Sequence, residues 1–69
     1  MTLKEIENIE AIVVSHLDNK VIEVILKDET ETGGIVDEAN EDYTKFTLVN
    51  GNGDYCEVAL EDVEKVYYL

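Results

Sequence analysis

The sequence of 69 residues holds one histidine and one cysteine, His16 and Cys56. They are its only pairing of a general base with a thiol nucleophile. The competing assignment makes Cys56 a small inward-facing core residue and His16 a half-exposed residue ahead of a turn. Serine and threonine occur without a base set beside them, so no catalytic residues are expected. Carboxylates are the more abundant resource. Asp37, Glu38, Glu41 and Asp42 offer the hard oxygen ligands that suit a cation such as Ca²⁺. They lack the glycine-punctuated spacing of a dedicated loop, and no Cys/His set suggests zinc. Neither metal nor cofactor is expected.

A different use of the same carboxylates is recognition. Seven acids lie between residues 28 and 42 (Asp28, Glu29, Glu31, Asp37, Glu38, Glu41, Asp42), with no lysine among them. They are either a solvated loop face or a run of charge that imitates phosphates and occupies a basic groove on a partner protein. Complementary charge of that kind steers and speeds association. The candidate partner-binding residues are Glu31, Asp37, Glu38, Glu41 and Asp42.

The whole chain carries the same sign. Seventeen acids stand against five bases, for a net charge of −12. The bases are all lysines (Lys4, Lys20, Lys27, Lys45, Lys65). Gripping a phosphate backbone rests on several Lys or Arg contacts that release counterions. A field of this sign opposes direct binding of nucleic acid or of an anionic membrane, and it attracts a basic partner.

The elements that must position these residues are few. With 45% apolar residues the chain has the composition of a folded domain rather than a disordered one. A chain this short buries only about 60% of the surface its unfolded form exposes, so extra stabilisation is expected. A lone cysteine cannot supply an internal disulfide, which favours a homo-oligomer or a partner. No apolar run spans a bilayer, and Met1 leads directly into an acidic segment, so a cytoplasmic location is expected.

Thr2-Leu3-Lys4-Glu5 has the spacing of a capping box. Leu3, Ile6, Ile9 and Val13 recur at helical spacing, which predicts an N-terminal helix from about 3 to 10. Residues 11–17 stay ambiguous, because Ile12-Val13-Val14 is a β-branched run suited to a strand. Alternation predicts a strand over 20–28, with Ile22, Val24 and Leu26 on one face. A second, over 32–39, contains Gly33-Gly34, the mark of a bend or a close backbone approach. A third covers 43–49 with Thr44, Phe46 and Leu48 together. Asn50-Gly51-Asn52-Gly53 signals a hairpin. A fourth strand, 54–60, points Cys56, Val58 and Leu60 inward. A helical turn at 61–64 and a last strand at 65–69 complete a single domain over 1–69. Five short strands and one bend fit a small closed or partly closed barrel.

These residues resemble a known family. Lys20-x-Ile22-x-Val24-x-Leu26-Lys27-Asp28, followed by Gly34, looks like the first half of an Sm-like (Lsm) domain. Val58, Val63 and Val66 fall where the second Sm motif places three aliphatic residues. The resemblance covers roughly 45 of the 69 residues and implies an N-terminal helix before a five-stranded, strongly bent SH3-like barrel. RNA-binding members carry an Asp-x-x-x-Asn loop after the second strand and an Arg-Gly pair before the last. This chain reads Asp37-Glu38-Ala39-Asn40-Glu41-Asp42-Tyr43, with no Asn at the base-reading position, and Ala59-Leu60. The family's RNA function is therefore not implied. Its edge-to-edge ring assembly is, with Tyr55, Tyr67, Tyr68 and Leu69 as the candidate interface.

In size, charge and simplicity the chain also resembles phage- or mobile-element-encoded inhibitors, including anti-CRISPR and other anti-defence proteins. The expected function is a non-enzymatic module that binds a basic protein surface. The alternatives are a ring-forming oligomer that holds a small ligand or nucleotide, and a purely structural assembly subunit.

Overall fold

The computed structural model describes residues 3–69. The first element is a helix, α1 (Leu3–Asp18), and it runs straight through the segment whose β-branched residues favour a strand. Among its described side chains Asn8, Ala11, Ile12 and Ser15 are buried, spaced so that they stack along one helical face. Tertiary packing of that face outweighs the modest helix penalty of Ile12, Val13 and Val14. The helix thus continues well past the predicted end at 10, to Asp18. The capping box falls outside what the structure describes, at Thr2 and at the Glu5 side chain.

The rest of the chain forms β1 (Ile22–Leu26), β2 (Glu31–Ala39), β3 (Lys45–Val49), β4 (Tyr55–Ala59) and β5 (Val63–Tyr68), with a 3₁₀ turn at Leu60–Asp62. All five strands pair antiparallel in one sheet of order β4-β3-β2-β1-β5. β2 is the hinge of this sheet. Its first part pairs with β1, Ile25 opposite Glu31 through Ile22 opposite Gly34. Its second part pairs with β3, from Ile35 opposite Val49 to Ala39 opposite Phe46, with a register shift between Val36 and Glu38.

The changeover falls on Gly34, whose φ of +149° is costly for any other residue. A Cβ at Gly34 would lie 2.2 Å from the Val49 carbonyl oxygen. The glycine pair is therefore a place of close backbone approach, and glycine is required at its second member.

Each element contributes to the core. Ile12 of α1, Ile22 and Val24 of β1, Val36 of β2, Phe46 and Leu48 of β3, Val58 of β4 and Val63 of β5 form one buried cluster. Leu26, Ala39, Tyr43, Leu60 and Val66 pack against it. α1 lies against β1, β2 and β5. The structure corrects two expectations. Cys56 sits opposite Leu48 in register yet is exposed, because it lies near the hairpin end of an edge strand, away from the buried cluster that Val58 of the same strand joins. Leu60 is only partly buried and belongs to the 3₁₀ turn rather than to β4.

Thr44 also leaves its expected place beside Phe46. It is exposed and bound to Asp42 in the turn before β3. The first strand is shorter than expected, and the last begins two residues earlier, at Val63.

Candidate functional site

The loops that carry the carboxylates are built by the carboxylates themselves. In the β1–β2 turn Asp28 Oδ1 accepts from the Thr30 backbone N–H at 3.0 Å and from the Thr30 hydroxyl. In the β2–β3 turn Asp42 Oδ1 accepts from the Thr44 N–H at 3.2 Å and the Thr44 hydroxyl at 2.8 Å. Both turns read Asp-x-Thr, and in both the central residue is left-handed: Glu29 at φ 72° and Tyr43 at φ 60°. The side-chain bonds hold a backbone conformation that non-glycine residues otherwise avoid. The threonine hydroxyl, then the threonine N–H, lowers each aspartate's pKa below its ordinary value. Turns are expected here from the polar runs Asp28 to Thr32 and Asn40-Glu41-Asp42, and the repeated Asp-x-Thr is the sequence mark of their shared geometry.

The seven acids are all exposed, and they fall into two groups along the chain. Asp28, Glu29 and Glu31 stand at the start of β2, while Asp37, Glu38, Glu41 and Asp42 stand at its end and in the turn beyond. β2, with nine residues, lies between them. Within the second group, Glu38 lines a hollow of about 280 Å³ together with Lys45 and Glu57. Asp37 instead lines a larger cleft of about 610 Å³.

That cleft lies where the end of α1, the middle of β2 and the β3–β4 hairpin converge. Val21, Ile35 and Val49 give it apolar lining, and His16, Asp37 and Tyr55 give it polar and aromatic groups. The hairpin beside it is fixed by Asn50, whose Oδ1 accepts from the N–H groups of Asn52 and Asp54 at 2.9 and 3.1 Å. Its signal in Asn50-Gly51-Asn52-Gly53 was sound, and Gly53 supplies the positive φ, +83°.

The candidate interface residues part company as well. Tyr55 is on β4, at one edge of the sheet. Tyr67 and Tyr68, with Leu69 just beyond them, are at the other edge, on and after β5. All four are exposed. The Lys20 ammonium lies 5.9 Å from the Tyr68 ring centroid, and the Lys65 ammonium 5.0 Å from that of Tyr67.

His16 and Cys56 have separate surroundings. His16 Nδ1 shares a hydrogen bond of 2.9 Å with the Tyr43 hydroxyl, and the rings meet edge to face. Cys56 Sγ lies 4.0 Å from the carbonyl oxygen of Glu57.

One structural residue escaped the sequence altogether. Ser15, fully buried, donates from its hydroxyl to the Lys20 carbonyl at 2.6 Å and accepts the Val36 N–H at 3.0 Å. Extending the β1–β2 register by two residues would set Lys20 opposite Val36. The Ser15 hydroxyl thus occupies the place of a direct ladder bond and fastens α1 to the sheet where β2 changes partners.

Among the described residues no helix is long and apolar enough to cross a membrane, and no three His, Cys, Asp or Glu side chains are grouped to hold a metal ion. Fold and surface together define a mainly β protein, with one antiparallel five-stranded sheet and an N-terminal helix. No family model matches the chain, and no curated protein matches it.

Proposed function

We propose that the protein is a non-enzymatic acidic binding module that occupies a basic, nucleic-acid-binding surface on a partner protein. The setting would be that of phage- or mobile-element-encoded inhibitors of the anti-CRISPR and anti-defence type. The observation that carries this reading is the exposure of all seven carboxylates of residues 28–42, in a chain of net charge −12. Asp42 is, in addition, held in one geometry by Thr44. Fixed, exposed charge loses little side-chain freedom on binding. The test is to replace Asp37, Glu38, Glu41 and Asp42 with Asn or Gln. The amide introduced by Asp42→Asn retains an oxygen that accepts from Thr44, so the turn is kept while the charge goes. Binding to a basic partner should be lost with the circular-dichroism spectrum unchanged. Undiminished binding would refute the reading.

For the fold, the proposal is a strongly bent Sm-like or SH3-like barrel. The bend in β2 at Gly34, the strand order and the 3₁₀ turn before β5 support it. A second functional reading follows from the sheet edges. Among the described residues β4 and β5 each pair on one side only, and each edge carries exposed tyrosine. Head-to-tail pairing of β4 with β5 of the next copy would close a ring able to hold a small ligand or nucleotide, or serve assembly alone. Light scattering separates the readings: a strict monomer removes the ring.

A further inference from the structure

We propose that the cleft between the end of α1, β2 and the β3–β4 hairpin is the seat for one arginine side chain of the partner protein. This deepens the acidic-module proposal and rests on it. The chain has three large exposed tyrosines near its sheet edges, Tyr55, Tyr67 and Tyr68. Two of them already carry a cation of the chain's own: Lys65 lies over Tyr67 and Lys20 over Tyr68. Tyr55, 68% exposed, has no such cation among the described residues. It lines the cleft that Asp37 also lines, and the remaining lining includes the aliphatic side chains of Val21, Ile35 and Val49.

A ring face, a carboxylate and an aliphatic surface are the three things an arginine needs. Its guanidinium stacks on an aromatic ring and forks to a carboxylate, and its methylene stem lies on apolar surface. The volume, about 610 Å³, is ample for one such side chain. Charge complementarity selects the occupant, because the field around this cleft is that of a molecule at −12. That field disfavours an anionic ligand and draws a cationic one.

The experiment is a titration of the ¹⁵N-labelled protein with the peptide acetyl-Gly-Arg-Gly-amide, followed by amide chemical shifts. The same peptide with citrulline in place of arginine is the control, being neutral and nearly isosteric. Shifts at Val21, Ile35, Asp37, Val49 and Tyr55 with the arginine peptide only are the expected result. Tyr55→Leu keeps apolar cover but removes the ring, and should weaken binding roughly threefold to tenfold. Asp37→Asn should do the same, whereas Glu41→Gln, which removes one equal charge outside the cleft, should not.

Equal shifts with citrulline, shifts spread over Asp28–Glu31 and Glu41–Asp42, or equal weakening by Glu41→Gln would overturn the proposal. So would cleft shifts that depend on protein concentration without peptide, since a second copy would then be the occupant. A lysine homopolymer distinguishes this failure from that of the parent reading. Salt-sensitive homopolymer binding without arginine at the cleft leaves the acidic module standing. Absence of both removes both.

Discussion

At the scale of single residues, two small side chains decide how the sheet is joined. Gly34 must lack a Cβ because the Val49 carbonyl would lie 2.2 Å from it, at a φ of +149°. Gly34→Ala is expected to cost at least about 2 kcal/mol. Gly51→Ala meets nothing within 4 Å and should unfold at nearly the native urea midpoint. Ser15→Ala would strand the Val36 N–H and the Lys20 carbonyl. A loss of about 1–3 kcal/mol in urea unfolding is the expected outcome, and a neutral result would show that the ladder closes directly once the hydroxyl is gone. Gly34 was legible in the sequence as half of a glycine pair within a strand pattern. Ser15 was not, since a buried hydroxyl on a helix looks like any surface serine until its partners, Lys20 and Val36, are brought to it.

At the scale of elements, the helix and the two Asp-x-Thr turns carry the lesson. Strand positions were readable because Ile22 and Val24, Phe46 and Leu48 alternate with outward residues. The extent of α1 was not, because its buried face mixes polar Asn8 and Ser15 with Ala11 and Ile12, and an apolar stripe cannot announce itself through polar members. Cys56 differs for the opposite reason: it alternates with the buried Val58, but it lies toward the hairpin end of an edge strand, where burial ends. Ile12 of the helix is fully buried, so Ile12→Ala should cost about 2–5 kcal/mol and lower the helical signal together with the β signal.

The turns make a pH prediction. The folded pKa values of Asp28 and Asp42 lie below 3.8, through their bonds to Thr30 and Thr44. A depressed folded pKa means the contribution is complete above 3.8 and lost as pH falls through the lower, folded value. The amide resonances of Thr30 and Thr44 should therefore titrate with midpoints below 3.8. Midpoints at or above that value would contradict the turn geometry.

At the scale of the molecule, the acids that form one stretch in the sequence are divided by β2 into two groups, and within the second group Asp37 and Glu38 line different hollows. Asp37, read from the acidic run, and Tyr55, placed at an interface by the Sm-like resemblance, share one cleft. No pattern along the chain reveals that, since it depends on the β3–β4 hairpin folding back beside β2.

The central claim is that this surface takes the place of nucleic acid on a basic partner. It is tested most directly by competition: a captured basic protein is challenged with duplex DNA and, separately, with salt rising from about 0.01 M to about 1 M, over which the screening length shrinks from about 30 to about 3 Å. The account predicts that DNA displaces the protein and that affinity falls steeply with salt. A complex that binds DNA at the same time, or that holds equally at both salt limits, would contradict it.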